Sequence, residues 1–392
     1  MKLKQFFLLI LIITQGITAQ IQYLSPQAEL SVLTVDPGTS LNDAFGHSGF
    51  RVKDTTGLDV VFDYGRYPFN DPNFYLNFAR GKLTYSMGGT QFEYFYQFYS
   101  EENRGIQEQV LNLTQKEKQA LYNFLLNNYL PENRDYQYDF FYDNCATRIK
   151  DVLLMSVSQP IAFHLPKDYQ EASFRTLIQQ NLDWNSWGSL GIDIALGAVI
   201  DKTATPEEQM FLPKNIARFF EVATLGNKRA LIKSSQMLFE KDQTIKDTTS
   251  IWSPLLILSL LALVILFITY KDHKNNQRSR WLDGILFTIT GLIGLFLVLL
   301  WFATNHTATA FNYNLLWAFP LNLVVFFPLL RKVVRPWVKK YLKLLLILLC
   351  LLVFHWITGV QVFAFALIPL LIALSIRYIY VIQVLEIKKE ES

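Results

Sequence analysis

Charged residues and cysteines are both scarce in this chain of 392 residues. Lys, Arg, Asp and Glu make up 18% of it, against about 25% in a typical soluble domain. Two cysteines are too few for a disulfide scaffold, and a net charge of +3 without a basic block argues against nucleic acid as a partner. Hydrophobic residues reach 51%, which excludes intrinsic disorder. Their distribution along the chain decides between one apolar core and a membrane part.

The N-terminus has the pattern of an export signal. Lys2 and Lys4 precede an apolar run from Phe6 to Ile13, and a polar stretch then ends at Ala19. The run is too short to span a bilayer, which takes about 20 apolar residues. We therefore predict a signal peptide over 1–19 that is cleaved after Ala19, with an uncleaved N-terminal anchor as the alternative.

Apolar residues are pooled near the other end of the chain. Five segments there approach the length needed to cross the hydrocarbon core: 253–270, 282–303, 311–330, 341–358 and 361–380. A buried core helix can imitate one such segment, but not five in succession with basic loops between them. The pattern predicts an all-α, five-helix transmembrane domain over 251–382.

The basic residues of this domain alternate between its loops. They follow the first, third and fifth segments: Lys271, Lys274, Arg278, Arg280, Arg331, Lys332, Arg335, Lys339, Lys340, Lys388 and Lys389. The positive-inside rule then places these loops and a C-terminal tail over 383–392 in the cytoplasm. Residues 20–250 are predicted to form a periplasmic domain of a multi-pass protein in a bacterial inner membrane, which agrees with the signal peptide.

Residues 20–250 have the mixed composition of a globular domain, with a strand-rich first part and a helical second part. Strands are predicted over three stretches: 28–35, 49–53 and 58–64. The last two form a hairpin around the turn Asp54-Thr55-Thr56-Gly57. The aromatic stretch 84–98 is predicted to extend the sheet. The pattern as a whole indicates the α+β class.

Helix-capping sequences mark the second part of this domain. Thr114 and Glu117 form a capping box, and a further helix begins at Asn144. Thr205-Pro206-Glu207 combines an N-cap with proline at the first helical position. The domain is expected to have a core over about 25–180 and a helical extension over 181–250. The polar stretch over 228–250 within the extension is predicted to be a linker or an extended juxtamembrane arm.

Cys145 is the only cysteine of the predicted periplasmic domain, because Cys350 lies within the fourth membrane segment. A lone thiol in an oxidising compartment is either a buried, inert side chain or a reactive group. Asp143 and Asn144 are helix-capping types, and an apolar-periodic stretch follows over 149–155. Cys145 therefore falls in the first turn of a helix, where free N–H groups and the helix dipole stabilise the thiolate that a cysteine nucleophile requires.

A base for this thiol has to come from elsewhere in the chain. Four of the five histidines lie in a loop or in the membrane part: His164, His273, His306 and His355. His47 stands between Gly46 and Gly49 at the start of a predicted strand, where glycines allow close approach of a ligand. Alone it is equally well a half-exposed loop histidine, but with Cys145 it forms a candidate catalytic pair.

Phe45-Gly46-His47, followed by Asp143-Asn144-Cys145-Ala146-Thr147-Arg148, resembles the circularly permuted relatives of papain and of the cell-wall cysteine peptidases. In that group the histidine strand precedes the cysteine helix. The resemblance implies a permuted papain-like fold in which a polar residue on the next strand orients the histidine. Here the hairpin offers Asp63 for that position and Asp59 as the alternative, since a one-residue register slip reverses the facing.

The whole chain resembles the Bacteroides-type (Lnb-like) lipoprotein N-acyltransferase family more closely. Supporting segments are Asp63-Tyr64-Gly65, Asn73-Phe74-Tyr75-Leu76, Ser173-Phe174-Arg175, the run 191–197, Phe211-Leu212-Pro213, Asn305-His306 and the run 312–317. The resemblance implies that Cys145, deprotonated by His47, takes an acyl chain from a phospholipid as a thioester. The chain then passes to the α-amine of the diacylglyceryl-cysteine of a lipoprotein. The Cys145 N–H, helped by Asn144, would stabilise the oxyanion.

Other interpretations remain open at this stage. The polar and aromatic group at the predicted periplasmic mouth is either a lipid-binding rim or an ordinary interfacial belt: His306, Asn312, Asn314 and Trp317. The same Cys/His pair also suits a membrane-anchored hydrolase, either a peptidoglycan amidase or a phospholipase. A non-catalytic envelope sensor or assembly factor is the third possibility. No ligand spacing points to a metal site, and the chemistry calls for no cofactor.

Overall fold

The computed structural model of the protein describes residues 23–67, 73–242, 251–331 and 333–390. The predicted signal peptide over 1–19 lies outside these residues. The described strands are β1 (Glu29–Val35), β2 (His47–Lys53), β3 (Asp59–Arg66), β4 (Thr84–Gln91), β5 (Ile106–Leu111), β6 (Asp135–Gln137), β7 (Ile161–Ala162), β8 (Thr224–Leu225), β9 (Arg229–Ala230) and β10 (Ile232–Phe239).

Helices alternate with these strands and then continue alone to the end of the described chain. In the N-terminal part they are α1 (Phe74–Arg80), α2 (Phe92–Glu101), α3 (Gln115–Tyr129), α4 (Cys145–Ser156), α5 (Phe174–Gln179), α6 (Trp187–Ala195) and α7 (Pro213–Val222). In the C-terminal part they are α8 (Pro254–Lys274), α9 (Arg280–Phe302), α10 (Asn322–Leu330), α11 (Pro336–Ile357) and α12 (Ile368–Glu390). The N-terminal domain is thus mixed α/β, and the C-terminal domain is helical.

A seven-stranded sheet organises the N-terminal domain, with its strands in the order β10-β5-β1-β2-β3-β4-β6 and its neighbours antiparallel. The predicted hairpin is confirmed: β2 pairs with β3 in a register that sets Gly49 opposite Asp63. One face of the sheet contributes apolar side chains such as Leu30, Phe50 and Phe62 to a core that α3, α4 and α7 cover. Helix α2 packs against the opposite face of the sheet.

The aromatic stretch 84–98 extends the sheet only as far as Gln91, and the chain then turns into α2. Phe92, Phe95 and Tyr99 recur at the spacing of one helical face and pack together on the sheet. Aromatic side chains suit strands and helices alike when half-buried, so composition alone extended the strand too far.

The polar stretch predicted as a linker from 228 onwards contains β10, an edge strand of the sheet. It pairs with β5, with Ser235 opposite Gln109 and Met237 opposite Gln107, and two irregularities interrupt the register. Only Ile232 of this strand is buried. An edge strand with one exposed face needs few apolar residues, so its sequence looked like a linker.

The predicted caps at Thr114 and Asn144 are confirmed, whereas the third cap introduces a different element. Thr114 and Glu117 form both hydrogen bonds of a capping box at the start of α3. Thr205 and Glu208 bond reciprocally as well, but the turn that they cap is a 3₁₀ turn over 208–211. The α-helix that follows begins only at Pro213.

Among the described residues, four helices are long and apolar enough to cross a membrane: Pro254–Lys274, Arg280–Phe302, Pro336–Ile357 and Phe365–Glu386. The third predicted segment, 311–330, is not one helix. It consists of a 3₁₀ turn over 313–316 and the nine-residue helix α10. Pro320 precedes α10 and has no N–H to continue a helix from the turn. The tail predicted over 383–392 is helical as far as Glu390.

Buried polar contacts tie the two domains together. Arg175 is 1% exposed and pairs with Asp193 and Asp201, each at 2.9 Å. Asp201 also accepts a hydrogen bond of 3.1 Å from the backbone N–H of Val362, in the connection between α11 and α12. The N-terminal domain is therefore attached to the helical domain by more than the chain that joins them.

A candidate Cys-His-Asp active site

Cys145 is the first residue of α4, and Asn144 is its N-cap. The Asn144 side-chain oxygen accepts hydrogen bonds from the N–H groups of Ala146 and Thr147, at 2.8 and 2.9 Å. The N–H of Cys145 comes before the first intrahelical hydrogen bond and has no acceptor within the helix. The thiol therefore stands at the positive end of the helix dipole.

Asn144 has no hydrogen left for a substrate oxyanion. Its amide nitrogen donates to the carbonyl oxygens of Phe140 at 2.7 Å and Phe211 at 2.9 Å, and the residue is 5% exposed. The expectation that Asn144 helps to hold an oxyanion is thus corrected. The sequence revealed the cap but not the two carbonyls, which only the folded chain brings to it. Asn144 fixes the start of α4 and so the position of the thiol.

His47 and Asp63 meet across the hairpin. The Nε2 atom of His47 lies 3.0 Å from Oδ2 of Asp63, and the Asp63 side chain is 8% exposed. Arg66 donates to the other carboxylate oxygen at 2.8 Å. The alternative residue, Asp59, lies at the far end of the hairpin and holds Arg51 through two bonds of 2.7 Å. Of the two carboxylates considered, Asp63 is the one that faces His47.

The pKa of His47 is raised well above its ordinary value. Burial by itself lowers this pKa, but the charges of Tyr99 and Cys145 and the hydrogen bonds to Asp63 and Cys145 outweigh burial. Burial raises the pKa of Asp63, yet the hydrogen bond and the charge of His47, with Arg66, lower it overall. The arrangement therefore favours an ionised Asp63 beside a protonated His47, with the Cys145 thiol next to the imidazolium.

Gly65 brings the backbone of β3 close to the thiol. Its φ is +99°, and a Cβ built there would lie 3.8 Å from the Cβ of Cys145. The pairing of β3 with β4 shifts between Asp63 and Arg66, as at a β-bulge beside a site. The segment 63–65 was part of the family resemblance, but no role was predicted for Gly65. Its position directly after the predicted strand over 58–64 was the available signal.

Two tyrosines, Tyr136 on β6 and Tyr138 just after it, share an apolar core with Cys145 and were not predicted from the sequence. Burial, and after it the charge of Cys145, raises the pKa of Tyr136 and of Tyr138. The Tyr136 hydroxyl is buried without a hydrogen-bond partner in the described part of the chain. The ring of Tyr138 stacks on that of Tyr85, with centroids 4.1 Å apart. No local pattern marks such residues, because β6 has only three residues.

The polar group predicted as a lipid-binding rim is largely buried. Asn312, Asn314 and Trp317 are 1%, 0% and 3% exposed. The amide nitrogens of both asparagines donate to carbonyl oxygens at the end of α6, including that of Ile194, and Trp317 donates to Asn314. These three side chains therefore join the domains and do not present a surface to lipid.

His306 alone among the predicted rim residues is partly exposed. Its Nε2–H donates to the carbonyl oxygen of Phe78 at 2.8 Å. The neighbouring Asn305 N–H donates to the carbonyl of Arg80, also at 2.8 Å. The loop after α9 is thereby attached to α1. A role of His306 in lipid binding stays a prediction.

Two family models match the chain. Residues 18–180 match the model described as the Lnb N-terminal periplasmic domain, and residues 246–390 match the Lnb transmembrane domain. No curated protein and no solved structure matches, so the permuted papain-like fold stays a prediction. With both parts matched in this order, the chain belongs to the Lnb family, with a periplasmic domain followed by a transmembrane domain.

Proposed function

We propose that this protein is a lipoprotein N-acyltransferase of the inner membrane and that Cys145 carries the acyl chain between its two substrates. The observation that carries the proposal is the row formed by Asp63, His47 and Cys145 at the N-terminus of α4. A polarised thiol next to a histidine that a third group orients is the arrangement of nucleophilic acyl transfer. Membership of the Lnb family supports the same reaction.

In the first half-reaction the thiolate of Cys145 attacks the carbonyl carbon of a phospholipid ester. Asp63 occupies Nε2 of His47, which leaves Nδ1 for the thiol and for the leaving group. When the ester C–O bond breaks, the imidazolium gives its proton to the departing alkoxide. The products are an acyl-thioester on Cys145 and a lysophospholipid, and His47 is left neutral.

In the second half-reaction the α-amine of a diacylglyceryl-cysteine attacks the thioester. Neutral His47 takes a proton from the amine, the C–S bond breaks, and the amide of the tri-acylated lipoprotein forms. The thiolate and the imidazolium are restored together. The free N–H of Cys145 is placed to donate to the oxyanion in both halves, with α4 adding the field of its dipole.

The location of the site accounts for its substrates. The loop after α9 is bonded to α1 and to Asp139, in the turn before Cys145, through Thr307 at 2.8 Å. The thiol thus lies near the ends of membrane helices, where both lipids are anchored. We propose that these ends face the periplasm and that the C-terminus is cytoplasmic, with the basic loops on the inner side.

The test uses the purified full-length protein in vesicles of phosphatidylethanolamine. Mass spectrometry is expected to find an acyl group on the Cys145 peptide, absent in Cys145→Ala. Addition of a synthetic diacylglyceryl-cysteinyl peptide is expected to remove that group and yield the N-acylated peptide. Release of free fatty acid with no acylated peptide would assign the protein to the hydrolases instead. A wild-type protein without acyl-thioester would refute the mechanism.

A further inference from the structure

Aromatic side chains form a continuous series between the thiol and the membrane helices. We name the aromatic track by its members: Tyr138, Tyr85, Tyr67, Phe74 and Phe78. Successive ring centroids are 4.1, 4.8, 5.4 and 6.2 Å apart. The last ring lies 6.2 Å from that of His306. Each of these distances is within the range of direct ring contact.

One end of the aromatic track is at the thiol. Tyr138 and Cys145 pack against the same apolar core, and Asp139, next to Tyr138, pairs with Asp143, two residues before Cys145. Tyr67 follows two residues after Gly65, whose backbone is next to the Cys145 side chain.

The other end of the aromatic track is at the lipid boundary. α1 is bonded to the loop that follows α9, and α9 is one of the candidate membrane spans. Phe302, at the end of α9, is 71% exposed. On α1, Leu76 and Phe78 are 50% and 54% exposed. Exposed apolar side chains next to a membrane span contact lipid rather than water.

We propose that one acyl chain of the donor phospholipid lies along the aromatic track, with its ester at Cys145 and its methyl end toward α1 and the membrane helices. This inference rests on the proposed function and deepens it, because it assigns the path of the acyl donor. A chain leaving the bilayer must stay out of water over the whole distance, and a line of aromatic rings provides apolar contact along it. The occupant is a lipid because the track is continuous with the membrane-spanning surface.

The test compares two acyl donors with the same full-length protein. The first donor is phosphatidylethanolamine in vesicles, and the second is the water-soluble ester p-nitrophenyl acetate, which needs no track. Phe74→Ala and Phe78→Ala are expected to slow acylation of Cys145 by the vesicle lipid by about tenfold or more, through the lost apolar contact. Acylation by p-nitrophenyl acetate is expected to stay at the wild-type rate.

The matched control is Tyr94→Ala. Tyr94 is an aromatic residue of α2, is 65% exposed, and lies outside the aromatic track. This control is expected to leave both rates unchanged. Wild-type rates with vesicle lipid in Phe74→Ala and Phe78→Ala would overturn the proposal. An equal loss with both donors would also overturn it, because the residues would then serve the site and not the lipid.

A labelling measurement covers the case of a variant that folds poorly. Phosphatidylethanolamine with a diazirine on one acyl chain is placed in the vesicles, and the wild-type protein is irradiated. Labels are expected on Tyr67, Tyr85 or Tyr138 as well as on α1. Labels on α1 alone would show that α1 is only an anchor and would overturn the track. If the wild type accepts p-nitrophenyl acetate but never vesicle lipid, the proposed function itself fails and the track with it.

Discussion

Replacing Asp63 with asparagine removes the negative charge beside His47 and keeps the shape of the side chain. The Nε2–Oδ2 distance of 3.0 Å and the 8% exposure of Asp63 make this a buried, charge-assisted hydrogen bond. Such a bond to a charged group contributes about 1.5–3 kcal/mol. Burial works against the imidazolium, so without the carboxylate the histidine releases its proton more readily.

The structure sets the size and direction of the effect. One pH unit corresponds to about 1.4 kcal/mol, so losing a bond of about 1.5–3 kcal/mol shifts the alkaline limb of the pH–rate profile to a lower pH, by about one to two units. The alkaline limb moves down because the raised pKa of His47 keeps the imidazolium protonated in the wild type. At a fixed pH on the wild-type alkaline limb, the rate of acyl-thioester formation is expected to fall by about tenfold to a hundredfold.

The assay measures two rates between about pH 5 and about pH 10, a range that includes the titration of a histidine with a raised pKa. They are alkylation of Cys145 by iodoacetamide and acylation of Cys145 by vesicle lipid. Asp59→Asn is the matched control, since Asp59 is on the same strand but binds Arg51. It is expected to leave both profiles unchanged. Equal profiles in Asp63→Asn and the wild type, or the same change in Asp59→Asn, would refute the role of Asp63.

Three further outcomes are expected. Activity of the wild type should fall in alkali only well above neutral pH, because the pKa of His47 is raised and the imidazolium has to protonate the leaving group. An alkaline limb near neutral pH would contradict this role of His47. Gly65→Ala and Gly57→Ala should each lower the free energy of unfolding by about 1–2 kcal/mol, since both glycines have positive φ. Only Gly65→Ala should slow acylation of Cys145, because a Cβ added at Gly57 has no atom within 4 Å. Arg175→Ala leaves two buried carboxylates without their cation and should lower the free energy of unfolding, measured by thermal unfolding, by about 3–5 kcal/mol. Lys202→Ala, which removes an exposed ion pair, should lower it by less than about 1 kcal/mol. Equal losses in the two variants would contradict the buried network.

Local patterns in the sequence determined much of the neighbourhood of the site. Asn144 has the side chain of an N-cap, and Thr147 three residues later completes it, so the helix had to begin at Cys145. The turn over 54–57 indicated the hairpin, but the choice between Asp63 and Asp59 was decided only by the register in the structure. The order of signal, Cys/His domain and membrane segments also sufficed to recognise the Lnb family. The roles of these residues in catalysis stay proposals.

Tertiary structure alone decided the features that depend on distant partners. The buried asparagines Asn312 and Asn314 looked like a polar rim because their acceptors, the carbonyls at the end of α6, are far away in the sequence. β10 looked like a linker because an edge strand takes its stability from the backbone of β5 and not from apolar side chains of its own. The sequence by itself determined where α3 and α4 begin and that β2 and β3 form a hairpin. Which side chains are buried together was decided only in the fold, because burial depends on partners that no local spacing records.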